Sequence, residues 1–419
     1  MKIQRILEEQ LVRIKPSVDE RIKLEKRTKD LCDKISKEIK RKKIKADIFV
    51  GGSLAKQTII KKKQYDIDIF VRFDKKYKGE ISEILGKVLG KLKARKIHGS
   101  RDYYQIKSGE LIFEVVPVIK ISSPKEMRNV TDLSYFHVSY TKGQIRKKKK
   151  LADEIMTAKS FCHAHNFYGA ESYIRGFSGY ALELLVIYYG GFVNFLKKII
   201  QEKIPIVLDP AKFYKNKQDV MLNLNEAKLS SPIVFVDPTF KERNALAALS
   251  PETFDRFVNV SKKFLRNPNR KYFEKQKVDI DVLKKDAKKK KAEFLQIKAN
   301  TSKQAGDIAG SKLLKFFRFF TRELGKNFQI LRKDFVYEER KSADLYFTLK
   351  KRKEIILKGP PINAVENVSK FKKRHRKVFI RGGIVCAKEK VKSFKEFLSD
   401  FKKKNKKRMK EMSITEIIF

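Results

Sequence analysis

The sequence predicts an α+β, multidomain protein. Three observations point there. Helical periodicity gives way to short alternating strands after about residue 46 and returns near residue 146, and strands mix with helices again after residue 256. A chain of 419 residues, 42% of them hydrophobic, is long enough for two to four domains with real cores. The expected division is therefore 1–145, 146–255 and 256–419, with no internal repeat at a fixed period.

Residues 1–45 read as two helices interrupted at Pro16, with Ser17 and Glu20 forming a capping box that opens the second. The spacing then predicts strands at Asp47–Val50 and Tyr65–Phe73, a helix at Glu80–Arg95, and two strands, Tyr103–Lys107 and Leu111–Ile121, joined by Ser108-Gly109. Helices follow at Ile145–Asn166 and Ser178–Ile200. A further helical stretch is expected from Arg243 to Leu265, so the second domain reads as mostly helical. Beyond it, Lys284–Lys291 reads as a solvated basic helix and Ser311–Gly325 as a Phe-rich amphipathic helix. Phe328–Val336, Ala343–Leu349 and Glu354–Leu357 read as strands, Ile362–Arg374 as a helix, Val378–Arg381 and Ile384–Ala387 as strands, and Ser393–Lys410 as a closing helix.

Composition narrows the partners. Lys and Arg number 99 against 49 Asp and Glu, a formal net charge of +50, which attracts polyanions, nucleic acid first. A general enrichment in lysine would raise the charge without any RNA partner. No stretch approaches the ~20 apolar residues of a spanning helix, and the acids among the first apolar residues argue against a signal peptide, so no membrane role is expected. Cys32, Cys162 and Cys386 are scattered and odd in number, suggesting neither a disulfide framework nor a zinc site, as in a reducing cytoplasm.

The chemistry is carried by Gly52-Ser53 followed by Asp66-Ile67-Asp68. On a strand, residues two apart share a face, so Asp66 and Asp68 project side by side while Tyr65, Ile67 and Ile69 pack behind them. Two like charges there repel, and a divalent cation removes the penalty. Glu114, inside the otherwise apolar Leu111–Val118, supplies a third carboxylate. Buried alone it would cost several kcal/mol, so a metal or a lysine is its expected partner. Three carboxylates can hold two Mg²⁺ ions, which would activate a 3′-hydroxyl and stabilise leaving pyrophosphate. Gly52-Ser53 lets backbone N–H groups and a hydroxyl approach a triphosphate. Gly-Ser alone is also an ordinary turn, and Asp-x-Asp alone also occurs on polar edge strands. Their order, with Glu114 on a later strand, favours chemistry.

Taken together, Gly51-Gly52-Ser53, Asp66-Ile67-Asp68 and Phe113–Pro117 resemble the DNA polymerase β-like nucleotidyltransferase core. Asn129–Val138, Phe167–Tyr180, Asp237-Pro238 with Arg243-Asn244-Ala245, and Lys358–Pro361 resemble, in order across most of the chain, the archaeal-type (class I) CCA-adding enzymes. The resemblance implies a nucleotidyltransferase head (1–145), a helical neck (146–255) and a C-terminal tRNA-binding α/β body and tail (256–419). It implies template-independent addition of C, C and A to the tRNA 3′ end from CTP and ATP, with contacts along the acceptor stem, and leaves room for a homodimer.

Residue by residue, the resemblance makes Asp66, Asp68 and Glu114 the catalytic metal carboxylates. Ser53, Lys56, His137, Lys159 and Tyr168 would contact the nucleotide, mostly its phosphates, and Arg243 would read its base. Glu114 stands where the family usually has Asp, and Lys56 where Arg is common, losing a bidentate fork but keeping the charge. Taken singly, Lys159 reads as a solvated helix lysine, Tyr168 and His137 as core residues, and Arg243 as a helix-start arginine. A poly(A) polymerase or another terminal nucleotidyltransferase shares the carboxylate pattern, and a non-catalytic RNA-binding relative would share the charge. The bacterial type is a poor match, for want of a Gly-Gly-x-Val-Arg-Asp turn or a Glu-Asp-x-x-Arg element.

Overall fold

The computed structural model describes residues 2–77, 79–275, 278–352, 354–375, 377–389 and 391–419. Contacts divide the chain into two units, Met1–Gln276 and Lys277–Phe419.

In the first unit, α1 (Lys2–Ile14) and α2 (Val18–Arg41) are separated at Pro16, and α2 opens on the expected capping box of Ser17 and Glu20. Five strands follow: β1 (Ala46–Val50), β2 (Tyr65–Phe73), β3 (Arg95–Ile97), β4 (Tyr103–Ser108) and β5 (Leu111–Ile119). They form one sheet in the order β1-β2-β5-β4-β3, in which only β2 and β5 run parallel. The short α3 (Gly52–Ala55) lies between β1 and β2, and α4 (Ile81–Leu89) between β2 and β3. Ile67, Ile69, Phe73, Leu85, Phe113 and Val115 make the core of this layer with Leu31 and Ile35 of α2. The expected helix over Glu80–Arg95 is shorter, because residues 95–97 join the sheet edge.

The helical part begins earlier than periodicity suggested. Helix α5 spans Ser134–Lys147, a stretch whose aromatic and β-branched residues have weak helix propensity. It is followed by α6 (Lys150–Ala164), α7 (Gly179–Tyr188) and α8 (Phe192–Ile199). The single helix expected over Ser178–Ile200 is broken at Gly190-Gly191, which take φ of +75° and +150°. Phe161, Phe177, Phe195, Phe257 and Phe264 fill the core around these helices, and Leu7 of α1 belongs to it. Helix α1 is tied to α6 by Gln10 Nε2 donating to Ser160 Oγ at 2.9 Å and by Lys15 on Asp153 at 2.8 Å.

The expected helix from Arg243 to Leu265 is corrected. The chain forms β6 (Ile206–Leu208), α9 (Lys217–Asn223), α10 (Glu226–Leu229), β7 (Ile233–Asp237) and β8 (Phe240–Asn244), and only then α11 (Pro251–Arg266). Strands β6, β7 and β8 form a three-stranded sheet, β6–β7 parallel and β7–β8 antiparallel. Ile233–Asp237 is buried at every position, so no alternation marks it as a strand. Arg243 thus lies on a strand.

The second unit contains α12 (Ile280–Lys289), β9 (Glu293–Thr301), α13 (Asp307–Asn327), β10 (Phe328–Tyr337) and β11 (Ser342–Lys351). It continues with β12 (Ile355–Pro361), α14 (Val365–Arg374), β13 (Val378–Arg381), β14 (Ile384–Glu389), α15 (Phe394–Lys404), α16 (Lys406–Glu411) and β15 (Ile414–Ile418). One antiparallel sheet has the order β10-β11-β9-β15, a smaller one β12-β14-β13. Phe316 and Phe320 of α13 pack with Phe347, Phe397 and Phe401 to cover the larger sheet. Strands β9 and β15 lie outside the expected strands and pair with each other across more than a hundred residues of chain.

Among the described residues no single helix is long and apolar enough to cross a membrane. Helices α7 and α8 are apolar together but meet at 87° and are buried in the core.

Candidate active site

Strand β2 alternates as its sequence dictates. Tyr65, Ile67 and Ile69 are buried, while Asp66 and Asp68 face the other way. Gly52 takes φ +58°, and a Cβ there would overlap the Asp68 carboxylate, so glycine is required for α3 to approach β2 this closely. Burial raises the Asp68 carboxyl above its usual range; neighbouring Asp66 pushes the same way and Lys56 opposes it. Two carboxylates on one strand face, with Asp68 buried, fit a divalent cation, which would relieve both the burial of Asp68 and its repulsion from Asp66.

Glu114 sits opposite Asp68 in the parallel β2–β5 register, so both face the same side of the sheet. It is not the fully buried charge expected from its apolar neighbours. It is half-buried, and its Oε1 accepts from Gln105 Nε2 of β4 at 2.9 Å. Among the described residues, no group of three or more His, Cys, Asp or Glu side chains is gathered closely enough to hold an ion. Asp66 and Asp68 share one face of β2, and Glu114 lies across from Asp68 on β5.

A cleft opens beside this pair. Ser53, Lys56, Asp66, Asp68, Lys159 and Tyr168 line it, as do Lys62, His163 and Glu183. Six of the sequence-derived site residues therefore meet on one surface, from β2, the α3 turn, α6 and the loop before α7. Lys159 is only 3% exposed, so it is no solvated helix lysine. Its ammonium donates to Glu183 Oε1 at 2.9 Å, Thr58 Oγ1 at 2.8 Å and Thr58 O at 3.4 Å. Lys56, 8% exposed, donates to Glu183 Oε2 at 2.6 Å. Burial works against the charge on Glu183, but Lys159 and Lys56 together outweigh it and hold its carboxyl at about 2. Burial likewise lowers His163 to about 3, so this imidazole, 4.1 Å from the Tyr168 ring, is neutral. Lys62 Nζ is 3.7 Å from Asp66 at the rim.

His137 and Arg243 are placed elsewhere, around Asp237, which is fully buried at the end of β7. Asp237 Oδ1 accepts from Tyr180 Oη at 3.0 Å and from Thr239 N and Oγ1 at 2.8 and 2.7 Å, and its Oδ2 accepts from Arg243 Nη1 at 2.6 Å. His137 Nε2 lies 3.2 Å from Oδ2 without hydrogen-bond geometry, and its ring stacks on Tyr180 at 4.0 Å. Burial lowers the His137 pKa against the pull of Asp237. The Asp237 carboxyl is strongly depressed although burial opposes it. His137 beside it contributes most to that, with Arg243 and the Thr239 hydrogen bond adding to it. This cluster adjoins the cleft, since Gly179 lines the one and Tyr180 belongs to the other.

Glu183 and Asp237 were both missing from the residues expected at the site. Each had a signal: Glu183 is a lone acid in Ala181-Leu182-Glu183-Leu184-Leu185-Val186, and Asp237 ends the apolar run Ile233–Val236.

A sheet carrying paired carboxylates, a glycine-serine turn against them and a basic cleft walled by helices define the class of polymerase β-like nucleotidyltransferases. The comparisons agree. Residues 153–274 match the family model of the tRNA nucleotidyltransferase second domain, and residues 1–149 that of the second messenger oligonucleotide or dinucleotide synthetase domain. Solved structures of a cytoplasmic RNA terminal U-transferase (TM-score 0.52, 13% identity, 66% of this chain and 99% of that one) and of a poly(U) polymerase (TM-score 0.52, 14% identity, 66% and 99%) share the fold. Among sequence relatives, the CCA-adding enzyme of Nanoarchaeum equitans is 37% identical over 343 residues, covering 80% of this chain and 81% of that one. The CCA-adding enzyme of Methanocaldococcus jannaschii is 29% identical over 405 residues, covering 91% and 86%. The chain belongs to the archaeal-type CCA-adding enzymes.

Proposed function

We propose that this chain adds C, C and A to the 3′ end of tRNA from CTP and ATP, without a nucleic-acid template. The observation that carries the reading is the cleft itself, where paired carboxylates face a basic wall from three chain segments, in a chain of this family. In each cycle the RNA 3′-oxygen forms a bond to the α-phosphorus while the α–β phosphoanhydride breaks and pyrophosphate leaves. Asp66 and Asp68, with Glu114 beside them, would hold divalent cations, two Mg²⁺ ions in our reading, which supply Lewis-acid activation of both oxygens. Ser53, Lys56 and Tyr168 bind and orient the triphosphate, with Lys159 behind them. His137, stacked on Tyr180, and Arg243, held by Asp237, lie in the cluster next to the cleft; in our reading His137 contacts the nucleotide and Arg243 donates to its base.

For the division of the chain we propose a catalytic head over 1–145, a neck from 146 and a C-terminal tRNA-binding body and tail. Because α11 and its Phe257 and Phe264 pack in the core of the neck helices, the neck runs past the expected 255 to the unit boundary at Gln276. Helix α1 sits with the neck, given its bonds to α6.

The test is incubation with Mg²⁺, CTP, ATP and a tRNA ending at its discriminator base, followed by sequencing of the product. Three fixed nucleotides are expected, and none with EDTA. Asp68→Ala should abolish addition and leave tRNA binding near wild type; full activity of that variant would sink the carboxylate assignment. A growing tail would move the protein to the poly(A) polymerase class. An inactive chain that still binds tRNA would make it a non-catalytic relative.

A further inference from the structure

We propose that Glu183 is a positioning residue of this cleft: it holds Lys56 and Lys159 as one unit and, through them, presents Lys56 to the triphosphate of the incoming nucleotide. The inference rests on reading the cleft as a nucleotide site.

Glu183 is fully buried on α7, in the middle of an otherwise apolar run. Its two oxygens are divided between two cations, Oε2 to Lys56 and Oε1 to Lys159, with Thr58 Oγ1 at 3.4 Å from Oε1. These groups come from the turn after α3, from α6 and from α7, so one carboxylate ties together three segments lining the cleft. Packing alone does not call for such an arrangement, since apolar residues of the same size usually hold a core at least as well as a buried ion cluster. What a carboxylate adds is to hold two buried lysine side chains in place and aimed, and at Lys159 it opposes the burial that lowers that residue's pKa.

The two lysines are not equivalent. An ammonium has three donors. Lys159 uses all of them on Glu183 and the two Thr58 oxygens. Lys56 has one hydrogen bond among the described residues, to Glu183, which leaves two donors. Two cations on one anion leave the trio with one net positive charge facing the cleft. Lys159 is therefore the anchor and Lys56 the presenting group. Asp66, Asp68, Lys62, His163 and Tyr168 complete the lining around them.

A carboxylate that only diluted the positive field would give the opposite result on removal, because Glu183→Gln makes the cleft more positive and should then bind phosphate more tightly. The probe is inorganic triphosphate, titrated calorimetrically into the full chain without RNA. Glu183→Gln is expected to weaken triphosphate binding about tenfold or more. In steady state it should raise KM for CTP and ATP more than it lowers kcat. Because Glu183 acts through Lys56, the double variant Glu183→Gln/Lys56→Gln should bind no more weakly than Lys56→Gln alone. Melting curves verify folding. If Glu183→Gln does not fold, Glu183→Asp decides: its carboxylate, one methylene shorter, cannot reach both lysines and should bind triphosphate at an intermediate strength. Wild-type or tighter binding by either folded variant, or an additive loss in the Lys56→Gln background, overturns the proposal. A wild-type chain that extends no tRNA, yet loses triphosphate affinity with Glu183→Gln, would reject the CCA reading and leave this one standing.

Discussion

Asp237 has no access to solvent and is held by Tyr180, Thr239 and Arg243 at once. Its charge survives burial because it is paired and hydrogen-bonded. The consequence falls on Arg243, whose planar donor fork is fixed at one end and 23% exposed at the side chain. Cytosine and adenine each offer a ring nitrogen acceptor where uracil and guanine present an N–H. An arginine, which has donors only, can favour the first pair. Arg243→Ala should therefore lower CTP and ATP use by roughly 10–100-fold, the worth of charge-assisted hydrogen bonds, and relax rejection of UTP. Its tRNA binding should change far less. Nucleotide-competition assays with all four triphosphates measure this, and unchanged discrimination would place base reading on other residues.

At the scale of elements, β2 and β5 do most of the placing. Their parallel register sets Asp68 opposite Glu114, and the period of two keeps Asp66 and Asp68 on one face. Helix α7 brings the counter-charge. The Glu183 carboxyl lies at about 2 in the folded chain against 4.5 for a free glutamate. A depressed carboxyl pKa stabilises the fold above its unfolded value, and this stability is lost as pH falls from about 4.5 toward 2. The shift is worth on the order of 3 kcal/mol. Thermal melts between pH 7 and pH 3 should show the wild type losing its advantage over Glu183→Gln as the solution becomes acidic. A gap between the two that stays constant over this range would show that the Glu183 ion cluster contributes nothing to acid sensitivity. Asp237 is depressed in the same direction and acts alike in both proteins.

For the molecule as a whole, charge is the dominant fact. A formal charge of +50 is present at neutral pH, and many basic residues of α12, α14 and α15 are exposed. If this excess serves tRNA, log K against log[salt] should fall by about 0.7–0.9 per phosphate neutralised. Filter binding or fluorescence anisotropy between 50 and 300 mM salt, roughly the range over which such contacts are screened, would measure it. Affinity that stays flat would mean that the lysine content is compositional and that tRNA is held by other contacts.

The sequence by itself determined what depends on neighbours along the chain. The capping box at Ser17, strand β2 with its two aspartates, the glycine-serine turn and the Phe-rich helix α13 were all legible. Each is specified by residues within a few positions, where backbone geometry repeats at 2.0 or 3.6 residues. Arg243 was legible as a residue but not as a strand position, because a fully buried strand such as β7 shows no alternation and its partner β8 is short. Only the tertiary structure decided that Glu183 would meet Lys56, 127 positions away, that Asp237 would gather His137 and Arg243, that α1 would pack on α6, and that β9 would pair with β15. The physical reason is the same in each case. A buried charge or an open strand edge announces that it needs a partner, but the partner is chosen by the packing of segments far apart in the chain, and local periodicity carries no record of that choice.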